Sequence, residues 1–329
     1  MAALRSEPED FVVEEELGFA AAGAGQHLLV RVRKRNANTA WVAAQLARLA
    51  GCRPQEVGYA GLKDRRAVAV QWFSLPRPRT PLEPAALRGE GFEALELIPH
   101  HRKLPRGALA GNRFAIRLRA LAGSGAQLEQ RLAPRLALIA RAGVPNYFGP
   151  QRFGREGANL ARMSAPLPAL KPAERGFVLS AARSVLFNAV LAARVGAGSW
   201  GRLLGGDLAS LEGRGSFFAV PAVDATLEGR AAALEIHPTG PLWGEGRPPS
   251  AAEVQALEER TAAAFATAAG LCVAAGMAQE RRSLRLAVHE LRATAEAEAV
   301  VLGFRLARGC YATAVLRELI EVPGPVADA

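Results

Sequence analysis

The sequence predicts an α+β fold in which a helical, loop-rich unit lies between two parts that contain β-strands. Apolar and polar residues alternate in residues 27–34 and again after residue 281, which is the period of half-buried strands. Residues 180–195 instead repeat their apolar side chains at helical spacing. Because strands return near the C-terminus, we expect them to complete the first domain, so that the middle of the chain is an insertion.

The N-terminal part begins with two predicted strands and a helix. Residues 6–18 carry six acids around a short apolar run, which predicts a strand whose acids are solvated. In residues 27–34 the arginines fall on the polar side of the second strand. Asn38 or Thr39 can cap the helix that follows, and Gly51 ends it.

A basic segment follows a further predicted strand at residues 92–98. Residues 101–119 contain six cations and no acid. In the second half of this segment arginines alternate with apolar residues, which predicts a strand with one apolar and one cationic edge. A solvated strand face is the ordinary interpretation, but cations without any acid favour a surface that faces phosphate. We therefore expect polyanion binding that weakens strongly as salt rises.

An aromatic loop follows the predicted helix at residues 126–142. Residues 144–160 combine prolines and glycines with three aromatic residues, which is typical of a loop. Exposed aromatic rings beside Arg152 and Arg155 can stack bases and hold phosphates. A buried aromatic turn explains the same residues equally well.

The rest of the middle region is less regular. Residues 165–172 resemble a linker, and residues 197–250 are rich in glycine and proline. His237, which a proline follows, is best interpreted as a structural turn histidine. Residues 251–276 are again helical in pattern, and residues 308–320 predict a loop and a short helix.

Composition limits the classes of protein that remain. The chain has 329 residues, enough for two domains, and a net charge of +10 from 41 Lys+Arg and 31 Asp+Glu. This excess favours nucleic acid as the partner, although a GC-rich genome also produces many arginines. Three widely spaced cysteines indicate reduced thiols in the cytoplasm. The acidic N-terminus does not resemble a signal peptide, and no apolar run reaches the length of a membrane helix.

One charged turn stands out, at residues 58–73. It places a single carboxylate, Asp64, between Lys63 and Arg65–Arg66. A solvated turn is the ordinary interpretation of such a tetrad. However, the chain lacks a phosphate-binding G-x-x-x-x-G-K-[ST] loop, a G-x-G-x-x-G loop, a G-x-S-x-G motif and metal-ligand spacing among its five histidines. An ionised carboxylate that the neighbouring cations stabilise can act as a nucleophile or a base.

Nine stretches, in order along almost the whole chain, resemble the TruD (D-type) family of pseudouridine synthases. They are EDFVVEE (9–15), HLLVRVRKRNANT (27–39), GYAGLKDRRAV (58–68), QWF (71–73), GALAGNRF (107–114), VPNYFGPQRFGREGANL (144–160), IHPTGPLWG (236–244), RRSLRL (281–286) and RGCYATAVLREL (308–319). The combination of GLKDR with NYFG and QRFG is specific, so the resemblance favours a catalytic over a solvated Asp64.

The resemblance implies isomerisation of uridine 13 to pseudouridine in certain tRNAs, without metal or organic cofactor. It implies a pseudouridine-synthase catalytic domain with a mixed, mainly antiparallel sheet, formed by residues 1–145 and 283–329. Residues 146–282 would be the inserted domain that is unique to the family and forms the second arm of a V. The implied protein is cytoplasmic and binds tRNA, with no membrane and no obligate protein partner, and we expect a monomer.

The same resemblance implies the site residues. The family's essential aspartate falls at Asp64, and its aromatic contact to the target base falls at Phe114. The other implied substrate-binding residues are Asn112, Lys63, Arg65, Phe11, Tyr147 and Arg152. The aspartate can attack C1′ of the sugar or C6 of the base, or abstract the C2′ proton, and the sequence does not choose among them. Phenylalanine has no hydroxyl, so a held water or Asp64 itself is left to remove the C5 proton.

Two positions depart from the family pattern, and two other functions compete. Cys310 stands where we expect serine, and Arg66 stands where histidine is common, so we assign Arg66 to phosphate contact or structure. A non-catalytic RNA-binding module would use Asp64 as a structural ion pair, and a product assay on tRNA separates that hypothesis from the enzyme. A methyltransferase would need a glycine-rich cofactor loop, which the sequence lacks.

Overall fold

The computed structural model describes residues 6–119 and 123–320, which form two compact units. Among the described residues, the first unit comprises 6–119, 123–136 and 289–309, and the second comprises 137–288 and 310–320. The chain therefore leaves the first unit and returns to it, as the recurrence of strands near the C-terminus predicted. The functional boundaries expected from the sequence, and the V-shaped arrangement, stay predictions.

The described residues contain fifteen strands and eight α-helices. The strands are β1 (Phe11–Leu17), β2 (His27–Arg35), β3 (Gly58–Tyr59), β4 (Val68–Pro76), β5 (Arg88–Gly89), β6 (Phe92–His100), β7 (Leu109–Leu118), β8 (Val144–Pro145), β9 (Asp207–Leu211), β10 (Phe217–Val220), β11 (Ile236–Leu242), β12 (Glu280–Ser283), β13 (Arg285–Leu286), β14 (His289–Ala295) and β15 (Val300–Ala307). The helices are α1 (Thr39–Ala50), α2 (Gly125–Ala142), α3 (Ala158–Ala161), α4 (Pro172–Gly196), α5 (Ala225–Ala232), α6 (Ala252–Ala264), α7 (Ala266–Ala274) and α8 (Ala312–Arg317).

The first unit is built on a nine-stranded sheet with the order β14-β15-β7-β1-β4-β2-β6-β5, and β3 pairs with β4. Strands β1 and β4 are parallel, whereas the other described pairs are antiparallel. The predicted mixed, mainly antiparallel sheet is confirmed. Strand β15 pairs with β7 over its full length, so the C-terminal strands complete the sheet that the N-terminal residues begin.

One face of this sheet is apolar and carries α1. The inward side chains of β2 pack with Val42, Leu46 and Phe73 in a core where all three are fully buried. Gly51 ends α1 with φ of 67°, a left-handed conformation that glycine adopts without strain. The helix begins after Asn38, but the side chain of Asn38 makes no capping hydrogen bond. We call the side of the sheet that carries α1 the inner face.

On the opposite face, the strands around β7 carry a lattice of ion pairs, whereas the sequence predicted solvated acids on the N-terminal strand and a phosphate-facing cationic edge in residues 101–119. Arg117 on β7 bonds to Glu296 at 2.8 Å, and Arg119 bonds to Asp10 at 2.8 Å. Arg113 bonds to Glu16 and Glu290. The acids come from β1, β14 and the segments beside them. Residues 101–119 contain no acid of their own, so their arginines find carboxylates only on the strands that pair with β7 and β15 or in the segments beside those strands. The N-terminal acids are therefore ion-pair partners rather than merely solvated charges.

The second unit is organised around α4, which is longer than the predicted helix because residues 172–179 also belong to it. Val178, Leu186, Phe187 and Leu191 of α4 are buried in two of the core clusters of this unit. By length and composition, α4 is the one helix in the described part of the chain that could cross a membrane, with 44% of its apolar window buried in the protein. Burial of this kind is what the central helix of a globular core also shows.

Residues 197–250 are more regular than the sequence predicted. They contain β9, β10, α5 and β11, and the sheet order is β10-β9-β11-β12. Strand β11 tolerates Pro238 because it changes partner there, from β9 at residues 236–238 to β12 at residues 239–242. His237 therefore lies in a buried strand rather than in a turn.

His237 belongs to a buried polar network in the second unit. Arg285 donates from Nε to His237 Nδ1 at 2.9 Å, so the ring proton sits on Nε2, which faces Glu212 at 2.6 Å. Burial lowers the pKa of the Arg285 guanidinium to about 10. The network is enclosed in the fold, in agreement with the structural role expected for His237.

The buried ion pair between Arg194 and Asp207 gives a test of the second unit. The two side chains are 3% and 0% exposed, and Nη1 lies 2.9 Å from Oδ1. We predict that Asp207→Ala lowers the free energy of unfolding by about 3–5 kcal/mol, because it leaves a buried guanidinium without its carboxylate. Urea unfolding measures this change. The control, Glu259→Ala, removes the partner of Arg247 in an exposed pair and should cost under about 1 kcal/mol. Equal losses in the two variants would contradict the prediction.

Candidate active site on the first unit

Asp64 lies on an exposed loop between β3 and β4. Exposure alternates along this loop, since Leu62 is 71% exposed, the Lys63 side chain is 8% exposed, and Asp64 is again exposed. Leu62 and Asp64 therefore present their side chains outward, while Lys63 between them turns towards the protein.

Two polar side chains of the inner face hold the beginning of this loop. Gln71 donates from Nε2 to the carbonyl oxygen of Gly61 at 2.7 Å, and Thr39 Oγ1 accepts a bond from the Lys63 amide at 3.1 Å. The Thr39 hydroxyl in turn donates to Gln71 Oε1 at 3.1 Å. Both side chains are buried, so the loop backbone on either side of Leu62 is bonded to a rigid part of the sheet and to the start of α1.

A third buried side chain, Lys34 of β2, holds Asp64 itself. Its ammonium group donates to the carbonyl oxygen of Asp64 at 2.9 Å and to that of Ala37 at 2.7 Å. Lys34 is fully buried. Burial lowers the pKa of Lys34 to about 8, an effect that the negative charge of Asp64 opposes and the positive charge of Lys63 reinforces. The lysine therefore fixes the backbone of Asp64 and leaves its carboxylate outside.

Lys63 adjoins Asp64 in the sequence, but its ammonium group contacts the carboxylate of Glu15. Its Nζ lies 2.6 Å from Oε1 of Glu15, a side chain with no solvent exposure. The other oxygen of Glu15 accepts a bond from the backbone amide of Trp72 at 3.0 Å. This ion pair joins the loop to β1 and β4, whereas Arg65 remains exposed beside Asp64.

The strand register places the remaining candidates of this unit on the inner face. Val13 lies opposite both Ala69 and Phe114, and Glu15 lies opposite Asn112. Since alternate residues of a strand share a face, Glu15, Asn112 and Phe114 lie on the same side as Gln71 and Lys34. The structure thus gathers Asp64, Lys63, Asn112, Phe114 and Phe11 at the inner face or on the loop bonded to it. Arg65 follows Asp64 on the same loop.

Three phenylalanines form a continuous aromatic surface there. The ring of Phe114 stacks on Phe304 with centroids 5.2 Å apart, and it meets the edge of Phe11 at 6.0 Å. Phe11 and Phe304 are 5% and 3% exposed, and Phe114 is more exposed than either. Close to them in register, Asn112 is 9% exposed and its Oδ1 has no hydrogen-bond partner among the described residues. A carboxylate, an aromatic ring and an unsatisfied amide suit a flat, polar ring such as a nucleobase.

Tyr147 and Arg152 belong to the second unit and take part in its own aromatic cluster. Arg152 bonds to the hydroxyls of Ser180 and Tyr311 at 2.8 Å and 2.7 Å, and it lies over the ring of Phe148 at 4.9 Å. The ring of Tyr147 is covered by Arg317 at 4.7 Å. Burial raises the pKa of the Tyr147 hydroxyl. The aromatic loop is thus largely packed against its own unit, with Tyr311 40% exposed at its surface.

Three residues that support the candidate site were not predicted from the sequence, namely Lys34, Glu15 and Phe304. Lys34 follows Leu28, Val30 and Val32 on the apolar side of an alternating strand, which is a signal of an inward lysine that could have been used. Glu15 and Phe304 sit in ordinary strand patterns, so only pairing with β7 and β4 reveals them. Within the described residues, no group of three or more His, Cys, Asp or Glu residues is arranged to hold a metal ion.

Because burial lowers the pKa of Lys34, the free energy of unfolding should depend on pH through this side chain. Its pKa is about 8 in the folded protein and 10.5 ordinarily, so the cost of burying its charge is present in full below about pH 8 and is relieved as pH rises towards 10.5. We predict that the free energy of unfolding gains about 2 kcal/mol from this group between about pH 7.5 and pH 9.5. Lys34→Met should abolish the gain.

Urea unfolding at both pH values measures the difference. Lys103→Met serves as the control because Lys103 is exposed in the same unit, and this variant should keep the wild-type dependence on pH. Parallel pH profiles for wild type and Lys34→Met would show that the buried amine does not carry the effect.

The comparisons with known proteins cover both units. The model of the family described as tRNA pseudouridine synthase D (TruD) matches residues 1–163 and 159–319. The tRNA pseudouridine synthase D of Nitrosococcus oceani is 46% identical over 97% of this chain and 90% of its own length. The protein of the same name from Xanthomonas axonopodis pv. citri is 45% identical over the whole chain and 92% of its own length.

A solved structure shares the fold. The crystal structure of a Methanosarcina mazei protein assigned as tRNA pseudouridine synthase D aligns with a TM-score of 0.72, over 98% of this chain and 94% of that one, at 21% identity. Because the sequence relatives are far more similar and span nearly the full length of the chain, the assignment rests on them and on the family match. This chain belongs to the TruD family of tRNA pseudouridine synthases.

Proposed function

We propose that this protein isomerises uridine to pseudouridine in tRNA, at position 13, with Asp64 as the catalytic residue. The observation that carries the proposal is the placement of Asp64. Its backbone carbonyl is fixed by the buried Lys34 at 2.9 Å while its carboxylate stays exposed. The loop bears the GLKDR motif of the family to which the chain belongs. A fixed backbone with an accessible carboxylate is what a nucleophile or base needs before substrate arrives.

The chemistry can be described by the bonds that change. The N1–C1′ glycosidic bond breaks, the uracil turns, C5 bonds to C1′, and the C5 proton is transferred so that N1 carries one. No atom is gained or lost and nothing is oxidised, so the stoichiometry requires no cofactor. Asp64 can attack C1′ or C6, or abstract the C2′ proton, and all three routes need the carboxylate beside the target nucleotide.

The inner-face residues supply a place for the uracil. Phe114 is the accessible ring of the aromatic surface, and the buried Phe304 beneath it sets its orientation by stacking at 5.2 Å. Phe11 closes the other side at 6.0 Å. Asn112 offers a buried amide whose Oδ1 can accept a bond from an imide N–H of the base. These contacts would hold the base after it leaves the RNA stack.

Arg65 and Lys63, the cations on either side of Asp64, would have different roles. Arg65 is exposed and available to hold a phosphate beside the target nucleotide. Lys63 acts mainly through its ion pair with Glu15, which positions the loop, and a direct contact with phosphate would require that pair to open. In the second unit, Arg152 and Tyr147 would contact the tRNA backbone and a base. We further propose that the enzyme works as a cytoplasmic monomer.

The role of the Asp64 carboxylate can be tested by substitution. Asp64→Asn and Asp64→Ala should abolish pseudouridine formation while leaving the dissociation constant for tRNA within a few-fold of wild type, because the loop backbone keeps its bonds. A product assay for pseudouridine in a tRNA transcript and a filter-binding titration measure the two quantities. Glu90→Gln removes an exposed carboxylate from another turn of the same unit and should leave activity unchanged.

Turnover well above background in both Asp64 variants would rule out Asp64 as the catalyst. Wild-type protein that binds tRNA but forms no product would instead favour the competing hypothesis of a non-catalytic RNA-binding module.

A salt titration separates cations that bind RNA from cations that stabilise the sheet. Arg152→Gln and Arg117→Gln each remove one positive charge, but Arg117 is already paired with Glu296 at 2.8 Å. We expect Arg152→Gln to weaken tRNA binding about three- to tenfold and to lower the slope of log K against log salt by about 1, whereas Arg117→Gln changes the slope far less. Equal slopes in the two variants would contradict the assignment of Arg152 to a phosphate contact.

A further inference from the structure

An exposed leucine, Leu62, lies two residues before the proposed catalytic aspartate and is not part of the hydrophobic core. Leu62 is 71% exposed, the highest value among the large apolar side chains of the described residues. Single exposed leucines are common on protein surfaces and need no explanation by themselves. Leu62 differs because of where it lies and how firmly its backbone is held.

The backbone on both sides of Leu62 is fixed. Gln71 bonds to the carbonyl of Gly61 at 2.7 Å, Thr39 bonds to the amide of Lys63 at 3.1 Å, and Lys63 is tied to the buried Glu15 at 2.6 Å. An exposed residue in a loosely held loop could fold its side chain onto the surface. Here three buried side chains hold the loop, so the leucine is presented outward in one position.

Leu62 must also lie close to any nucleotide on which Asp64 acts. Two residues apart, their Cα atoms can be separated by at most about 7 Å. The lysine between them turns inward, so both outward side chains meet the same region of a bound RNA. A target base that leaves its stack to reach Asp64 and Phe114 leaves an apolar gap between the bases beside it. An uncharged leucine can bind neither phosphate nor a base edge by hydrogen bonds, but it can fill such a gap.

We propose that Leu62 is a wedge that enters the base stack of the tRNA and occupies the place vacated by the target uridine. The proposal rests on the proposed function, because only a base-flipping reaction creates the gap. On this view the loop divides the work between adjacent residues. Lys63 anchors the loop, Asp64 carries out the chemistry, and Leu62 stabilises the opened RNA.

The test compares two tRNA transcripts that differ in the nucleotide opposite the target uridine. In one transcript the uridine is paired, and in the other the opposite nucleotide cannot pair with it. Single-turnover rates of pseudouridine formation are measured for wild type, Leu62→Ala and Leu62→Met at saturating enzyme. The control, Leu95→Ala, truncates another exposed leucine, which lies on β6 of the same unit.

We expect Leu62→Ala to lower the rate on the paired transcript by about tenfold or more and to lower it less than about threefold on the unpaired one, because the unpaired uridine is easier to extrude. Leu62→Met should keep most of the rate, since methionine also fills an apolar gap. Leu95→Ala should behave as wild type on both transcripts. Thermal unfolding temperatures of all variants should match wild type, because neither leucine is in the core.

Two results would overturn the wedge. One is an equal loss of rate on both transcripts, which would place Leu62 at a step after extrusion. The other is an unchanged rate for Leu62→Ala on the paired transcript. Failure of the wild-type enzyme on both transcripts is a distinct result, since it would refute the proposed function itself.

Discussion

Buried polar contacts beneath the loop of Asp64 are the constraint on which the site depends. Lys34, Gln71 and Glu15 project from the inner face of the sheet, where their neighbours are apolar. Each would be costly to bury unless it were bonded. Each finds its partner in the loop: the Asp64 carbonyl, the Gly61 carbonyl and the Lys63 ammonium group. The sheet and the loop therefore stabilise each other, and Lys34 holds Asp64 by its backbone carbonyl.

The same sheet separates its two faces by charge. The inner face carries the aromatic surface and the bonded side chains of Lys34, Gln71 and Glu15, whereas the opposite face carries arginines paired with glutamates and Asp10. Because these arginines are already neutralised, the strongly basic segment at residues 101–119 is less of a phosphate-binding surface than its sequence indicates. Two of the acids near the N-terminus, Asp10 and Glu16, balance the charges of Arg119 and Arg113. The net charge of +10 must then act through cations outside this lattice, such as Arg65.

In the second unit, the prediction of irregular structure for residues 197–250 was wrong for a physical reason. Glycine and proline in residues 197–250 predict irregular structure, yet β11 crosses that region as a buried strand. It can do so because Pro238 lies where the strand changes from one partner strand to the other. In addition, Arg285 bonds to the side chain of His237 and to the carbonyl oxygens of Ala231 and Ile236. A local sequence pattern contains no information about which partner a strand will meet. The helix α4 was easier to predict, because its period depends only on its own residues.

By itself, the sequence determined the α+β class, the recurrence of strands at the C-terminus and the position of Asp64 in a family motif, because these depend on local period and on residue identity. It also indicated Phe114 and Asn112 through the same resemblance. Only the tertiary structure decided that Lys34 holds Asp64 from 30 residues away, that Lys63 pairs with Glu15 from 48 residues away, and that Phe304 supports Phe114. These contacts form where β1, β2, β4, β7 and β15 pair in one sheet. Strand pairing brings together side chains that are distant in sequence, and no pattern along the chain records which of them will meet.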